Sequence, residues 1–150
     1  MSLYRRTALM CLSLLFFALP VQAATMSVYK TATCGCCEAW VEHVRAAGIE
    51  VAVTDMERAR LIEEKQRLGV DRRLASCHTA RIDGYVIEGH VPVADIRRLL
   101  EERPGIAGLA VPGMPVGSPG MDYGDRVEPY NVIAFDEAGG MRVFARHGRD

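Results

Sequence analysis

The stretch that decides the fold reads Tyr29-Lys-Thr-Ala-Thr-Cys-Gly-Cys-Cys-Glu-Ala-Trp40, and it holds three of the chain's five cysteines within four positions. The residues before it, Met26 to Lys30, have the composition of a short strand. After Gly35, apolar residues recur at i, i+3, i+4 and i+7, which is the spacing of a buried helical stripe: Cys37, Trp40, Val41 and Val44. The pattern predicts a strand, a cysteine-bearing turn and a helix that begins at Gly35.

The pattern further along the chain extends this start into a complete domain. It predicts, in order, a strand at 49–54, a helix at 55–68 capped by Asp55, a hairpin at 79–88, a helix from Pro92 and a final hairpin at 130–145. The segment 104–129 is rich in glycine and proline and is predicted to be a long loop. The order β-α-β-α-β-β-α is that of the thioredoxin fold. We therefore expect an α/β protein with a thioredoxin-like core, a Gly/Pro/Met loop and an added C-terminal β-hairpin.

The N-terminus has the features of a secretory signal peptide. Arg5 and Arg6 precede an apolar run at 8–19, and Val21-Gln22-Ala23 places small residues where a signal peptidase cuts. The run is shorter than the roughly 20 residues that span a bilayer. We predict cleavage after Ala23, a single mature domain at 24–150, a periplasmic location and no stable membrane insertion.

The composition is that of an ordinary globular protein. With a net charge of −1, no basic field points to nucleic acid, and the charge is otherwise uninformative about partners. After cleavage the chain retains four cysteines, because Cys11 leaves with the signal peptide. Four cysteines are too few for a disulfide scaffold, and three of them lie within four positions. Their spacing indicates a functional site.

The predicted topology brings the candidate ligands to one edge of the sheet. Strand one ends just before the cysteines, the antiparallel third strand begins after Cys77 and His78, and its hairpin partner ends before His90. Neighbouring strands lie about 4.8 Å apart, so His90 is expected roughly 10 Å from the cysteines unless its loop bends inward. His43 and His147 are expected on the surface.

Three interpretations of Cys34, Cys36 and Cys37 follow from this placement. A structural disulfide gains little, because it closes so short a loop. A redox pair, Cys34 attacking and Cys37 resolving, gains from the helix N-terminus, which favours a thiolate. However, the segment before strand three lacks the proline that thioredoxin-like oxidoreductases place there, and Cys77-His78 occupies it instead. That replacement favours metal binding.

The choice of metal depends on ligand softness. Thiolates with a nearby imidazole suit Cu(I) or Zn(II). A closed zinc site prefers two well-spaced ligand pairs, whereas Cys-x-Cys-Cys is crowded. Met114 and Met121 in the long loop add thioethers, which select copper. Cu(I) is therefore the expected ion and Zn(II) the alternative.

Four stretches, taken together and in order, resemble the family numbered 411 among domains of unknown function. They are 28–37, Ala75-Ser-Cys-His78, Ile82-Asp-Gly-Tyr-Val-Ile-Glu-Gly-His-Val-Pro92 and Val111-Pro-Gly-Met-Pro-Val-Gly-Ser-Pro-Gly-Met121. Members are described as small exported bacterial metal-binding proteins associated with copper resistance. The resemblance implies that seven residues belong to family motifs: Cys34, Cys36, Cys37, Cys77, His90, Met114 and Met121.

The leading hypothesis is a periplasmic protein that sequesters Cu(I) or delivers it to a copper exporter or a cuproprotein. Cys34, Cys37 and Cys77 are the expected core ligands and Cys36 an exchange partner; a second tier holds His90, Met114 and Met121. The long loop is expected to act as a lid. The rival is an exported thiol–disulfide oxidoreductase that uses the Cys34–Cys37 pair. A third hypothesis is an interaction module that docks a partner through the hairpin at 130–145.

Overall fold

The computed structural model describes residues 24–148, and the predicted signal peptide lies outside the described residues. Seven strands and three α-helices follow one another as β1 (Met26–Lys30), α1 (Gly35–Ala46), β2 (Val51–Asp55), α2 (Arg58–Arg67), β3 (Thr79–Ile82), β4 (Tyr85–Glu88), α3 (Val93–Glu102), β5 (Gly108–Ala110), β6 (Tyr130–Phe135) and β7 (Met141–His147). The fold is therefore mixed α/β, as predicted. Within residues 24–148, no helix has the length and apolar character that crossing a membrane requires.

All seven strands form one sheet in the order β2-β1-β3-β4-β5-β6-β7. The pairs β1–β2 and β4–β5 are parallel and the other neighbours are antiparallel. The end of β1, the start of β3 and the end of β4 consequently lie at the same edge of the sheet. This is the edge at which the sequence predicts the cysteines and histidines to meet.

The hydrophobic core is divided between the two faces of the sheet. The predicted stripe of α1 is fully buried and packs with α3 residues such as Ile96 and Leu99. Successive strand residues point to opposite faces, so Ile87 belongs to this larger cluster while Val86 packs with Val70, Leu74, Ala110 and Phe135. Both faces are covered, which holds the strand ends in place.

The start of α2 differs from the prediction. Asp55 does not cap the helix; it is the last residue of β2 and its carboxylate lies 2.9 Å from Lys30 Nζ. The helix begins at Arg58 after Glu57, which makes no capping hydrogen bond through its side chain. The ion pair with a buried lysine replaces the cap. Of the two leucines on the predicted inward face, Leu61 is buried, while Leu68 is only partly buried.

The long loop also differs from the prediction, because it contains a strand. Residues Gly108–Ala110 form β5, which joins β4 to the C-terminal hairpin and so makes that hairpin part of the same sheet. Three residues with no alternation leave no strand signal in the sequence. Gly108 is required there, since a Cβ would lie 2.8 Å from the Val86 carbonyl carbon.

Candidate metal centre

Helix α1 begins inside the cysteine motif. Cys34 is its N-cap residue, and the carbonyl of Cys34 accepts the N–H of Glu38 at 3.2 Å. The unpaired backbone N–H groups of the first helical turn therefore lie within the cysteine motif, and a helix N-terminus favours negative charge on nearby sulfur. Lys30 holds this helix end to the sheet, because its Nζ lies 3.1 Å from Glu38 and 2.9 Å from Asp55.

Four sulfur atoms meet at this helix end. Cys34 and Cys37 form a disulfide, and of the cysteines within residues 24–148, Cys36 and Cys77 are free. Cys36 Sγ lies 3.6 Å from Cys34 Sγ and 3.9 Å from Cys77 Sγ. All four sulfurs lie within 4.8 Å of one another. The cysteine that the sequence places furthest away is thus part of the cluster.

Cys77 also belongs to a second group, which contains two imidazoles. Its Sγ lies 3.0 Å from His90 Nε2 and 3.4 Å from His78 Nδ1. Both histidines are fully buried, and the Nε2 of His78 has no hydrogen-bond partner among the described residues. The His78 ring also packs on Trp40, with ring centroids 4.4 Å apart.

The long loop determines which nitrogen of His90 is free to bind. His90 Nδ1 lies 2.8 Å from the carbonyl oxygen of Pro119, which can only accept a hydrogen bond. Nδ1 therefore carries the proton, and Nε2 presents its lone pair to Cys77. Gly120 makes this contact possible, since a Cβ there would lie 2.7 Å from both the Cys36 carbonyl and the Trp40 nitrogen. The loop is packed directly against the start of α1.

Burial determines the protonation of the metal-free site. It raises the pKa of Cys77 to about 12, with neighbouring Cys36 as the next cause. It lowers the pKa of His90, and it lowers the pKa of His78 well below the ordinary range. At neutral pH the site therefore contains a Cys77 thiol and two neutral imidazoles. Neutral imidazole is the form that binds metals.

A buried ion pair supports the segment before Cys77. Lys65 Nζ lies 2.6 Å from Glu88 Oε1, and the same oxygen accepts the N–H of Ser76 at 2.6 Å. Burial lowers the pKa of Lys65 and raises that of Glu88, and the attraction between the two charges opposes both shifts. Neither residue belongs to the predicted site. Two sequence features could have identified them: Lys65 lies four positions after Leu61 on the inward face of a helix, and Glu88 ends an apolar strand.

The two methionines of the long loop lie in different environments. Met121 is 7% exposed, whereas Met114 is 50% exposed. Met114 lines a groove of about 490 Å³ together with Cys34, Cys77 and Lys65. Met114 therefore lies beside the cluster at the solvent side, and Met121 lies inside the packed loop. Their expected role as second-tier ligands stays a prediction.

Two histidine positions differ from the expectation. His90 is not 10 Å to the side: its loop bends inward, held by the Pro119 carbonyl, and Nε2 reaches Cys77 Sγ at 3.0 Å. His147 is not a free surface residue, because its Nε2 lies 2.6 Å from Asp95 Oδ2 and its ring stacks on Tyr130. His43 is exposed, as expected.

His78 is not among the seven predicted ligands, although it forms a potential ligand pair with Cys77 in the sequence. The structure buries its ring and directs Nδ1 toward the thiol. The signal that identifies it is its position immediately before a strand that begins at the edge of the site. Cys36 is the motif cysteine whose thiol contacts Cys77, at 3.9 Å. The expected roles of Cys34, Cys37 and Cys77 as core ligands and of Cys36 as an exchange partner stay predictions.

Comparisons with known proteins find a matching family and similar solved structures. Residues 74–121 match the family described as "Protein of unknown function, DUF411". A solved structure described as "Copper resistance protein copG- Form 2" is 45% identical, with a TM-score of 0.78, and the match covers 85% of this chain and all of the other. "Copper resistance protein copG- Form 1" is 44% identical with the same TM-score, over 84% of this chain and 98% of the other. No curated protein matches the chain.

Proposed function

This chain belongs to the DUF411 family, and from that premise we propose that it is a copper-binding protein whose cargo is Cu(I). The observation that carries the proposal is the cluster of four cysteine sulfurs within 4.8 Å, with an imidazole nitrogen 3.0 Å from one of them. Soft thiolates select Cu(I), and the relatives described as copper resistance proteins support the same ion.

The residues of the site fit this cargo. Cys36 and Cys77 present free thiols, and His90 and His78 present neutral nitrogens at the same sulfur. Cys34 and Cys37 join them when their disulfide is reduced. A reductant must therefore supply two electrons before all four sulfurs can bind. The disulfide form is expected to bind Cu(I) more weakly, because it has lost two thiolates.

The proposal includes the role of the protein and its location. The signal-peptide pattern supports export to the periplasm, where sequestration or delivery of Cu(I) to an exporter or a cuproprotein would protect the cell. The element order and the position of the motif at the start of α1 support a thioredoxin-like core. A core of that type places reactive sulfurs at a helix N-terminus.

The test is a competition between the reduced, purified protein and a Cu(I) chelator of known affinity. We expect Cu(I) binding tighter than micromolar, and a loss of about tenfold or more in Cys34→Ser, Cys77→Ser and His90→Gln. His43→Gln is the matched control, because that imidazole is exposed and remote from the cluster. Binding weaker than micromolar, or binding that is unchanged in Cys34→Ser, would contradict the proposal.

A second candidate function is favoured by the disulfide itself. Cys34 and Cys37 are bonded at the N-terminus of α1, which suits a thiol–disulfide oxidoreductase. The discriminating measurement is turnover on a model disulfide in the presence and absence of copper. Turnover that copper does not affect and that Cys37→Ser abolishes would establish the oxidoreductase as the main activity.

A further inference from the structure

Lys65 and Glu88 form an ion pair that is almost completely removed from water. The Lys65 side chain is 9% exposed, that of Glu88 is fully buried, and Nζ lies 2.6 Å from Oε1. Removing two charges from water costs several kcal/mol each, and a well-packed apolar pair is often at least as stable. Stability alone therefore does not explain a buried ion pair in this position.

The position of the pair relative to Cys77 suggests another role. Glu88 Oε1 accepts the N–H of Ser76, the residue immediately before Cys77, at 2.6 Å. One carboxylate oxygen thus binds both the lysine from α2 and the backbone next to a candidate ligand. In metal sites, hydrogen bonds from residues that do not touch the ion orient the ligands that do. The bond between Glu88 and the backbone beside Cys77 is of this kind.

The same segment is held from its other side by the long loop. The Ser76 hydroxyl donates to the carbonyl of Gly113, and the Gly113 N–H donates to the carbonyl of Ala75 at 3.3 Å. Gly89 allows the close approach, since a Cβ there would collide with the Ser76 side chain. Residues 75–77 are therefore held on one side by Glu88 of β4, which pairs with Lys65 of α2, and on the other side by the long loop.

We propose that the Lys65–Glu88 pair is a positioning device that fixes Cys77 for metal binding. Lys65 orients the Glu88 carboxylate, the carboxylate holds the Ser76 N–H, and the Cys77 sulfur is thereby kept near His90 Nε2 and Cys36 Sγ. Neither charged group contacts the ion. The inference rests on the proposed copper-binding function, but its geometric part is measurable without metal.

The test compares two double variants of the full protein, which differ in whether residue 88 keeps an oxygen that can accept the Ser76 N–H. Lys65→Leu/Glu88→Leu removes both charges and the acceptor for Ser76, whereas Lys65→Leu/Glu88→Gln removes the charges and keeps an acceptor oxygen. We use leucine because methionine would add a sulfur near the site. Asp95→Asn is the control, since it alters a buried carboxylate in another ion pair.

Affinity for Cu(I), measured by chelator competition, is the first readout. Outer-sphere partners typically change metal affinity 10- to 100-fold. We therefore expect about a tenfold or greater loss in the Leu/Leu variant, substantial recovery in the Leu/Gln variant and no change in Asp95→Asn. A Leu/Leu variant that is folded and binds Cu(I) within about twofold of the wild type would overturn the proposal.

The second readout uses metal-free protein and nuclear magnetic resonance. In the wild type we expect a Ser76 amide proton that is protected from exchange, and a His90 Nε2 chemical shift that changes in the Leu/Leu variant as Cys77 moves away. An unprotected Ser76 amide in the wild type would also overturn the proposal, whether or not the variants fold. A wild type that does not bind Cu(I) would refute the proposed function, and these metal-free measurements would then decide this inference separately.

Discussion

Cys77 is the residue that connects the two groups of candidate ligands. Its sulfur lies 3.9 Å from Cys36 Sγ and 3.0 Å from His90 Nε2. The fold also changes its protonation, because burial raises its pKa to about 12. A thiol with that pKa must lose its proton before it can bind an ion as a thiolate.

We predict that Cu(I) affinity rises with pH. Each ion bound by the Cys77 thiolate displaces one proton, so between about pH 6 and pH 8 this residue alone contributes about a tenfold gain per pH unit. His78 and His90 add no further pH dependence in that range, since their lowered pKa values keep them neutral. Chelator competition at several pH values measures the slope. Cys77→Ser should reduce it by about one proton, and identical slopes would contradict the prediction.

The fluorescence of Trp40 is a probe of metal binding at the same site. It is the single tryptophan of the chain, it is fully buried, and its ring lies 4.4 Å from the ring of His78. We predict that copper loading quenches most of its emission, because an ion bound through His78 or Cys77 would lie close to the indole. A fluorescence titration tests this, with Cys77→Ser as the variant expected to show little quenching. Equal emission from the metal-free and loaded protein would show that the ion lies elsewhere.

The individual residues were predictable from the sequence to different extents. Cys34, Cys36 and Cys37 could be assigned to a site because adjacent cysteines have few structural uses. His90 could be placed at the correct edge but not at its distance, because the inward bend depends on a hydrogen bond to Pro119, far along the chain. Lys65 and Glu88 were not predicted, since a charged residue on an amphipathic element ordinarily faces water.

At the scale of elements, the long loop is the part that completes the site. Its carbonyl at Pro119 orients His90, and its backbone at Gly120 lies against the first turn of α1. Gly120 and Gly124 both have positive φ, at 83° and 68°, but only Gly120 would collide with its surroundings if it carried a side chain. Substitutions at the two glycines therefore distinguish the effect of backbone strain from the effect of losing the contact between the loop and α1.

We predict different outcomes for alanine at these two glycines. Gly124→Ala should cost roughly 1–2 kcal/mol of unfolding free energy, the ordinary cost of a left-handed residue, and should leave Cu(I) affinity nearly unchanged. Gly120→Ala should cost more and should weaken Cu(I) binding about tenfold, because the loop must move and release His90. Denaturant unfolding and chelator competition measure the two effects. Equal losses of affinity in both variants would show that the contact with α1 is unimportant.

The elements with strong periodicity were predicted well, and the short irregular ones were not. β1, α1 and the hairpin β3–β4 have clear patterns, and the Asp83-Gly84 turn has the positive φ angles that a two-residue turn requires. β5 is three residues long, and its pairing with both β4 and β6 is a tertiary property. The start of α2 was misplaced because Asp55 satisfies a buried lysine instead of the helix.

In the whole molecule, the C-terminal hairpin extends the sheet on one side, so that β7 is an edge strand. Arg142 and Arg146 are exposed along that strand. Charged residues on an edge strand oppose pairing with another sheet. The hairpin is further attached to the domain, since the Arg98 guanidinium lies 3.7 Å over the Phe144 ring and His147 pairs with Asp95.

We predict that removing the two arginines exposes a sheet edge to self-association. Arg142→Val/Arg146→Val should shift the protein toward dimers or larger species as its concentration rises, measured by analytical ultracentrifugation. Arg45→Val/Arg60→Val is the control, because it makes the same change in charge on exposed helix surfaces. A monomeric edge variant at every concentration would indicate that the arginines do not protect this strand.

The topology of the whole molecule is what made the site predictable. The antiparallel relation of β1 to β3, and of β3 to β4, brings residues distant in sequence to one edge whatever the side-chain details. The sequence could not show that Cys36, rather than Cys34 or Cys37, contacts Cys77, because that depends on the orientation of side chains at the first turn of α1.

The packing of the long loop against α1 affects how long the protein retains a bound copper ion. Four separate segments meet at the site, so the loosening of any one of them is enough to let an ion escape. Such local opening costs less free energy than unfolding the domain. The residence time of copper would then depend on how often residues 112–121 lift from the helix, not on the melting temperature of the protein. A partner that pulled this loop aside could unload the metal from a domain that stays folded.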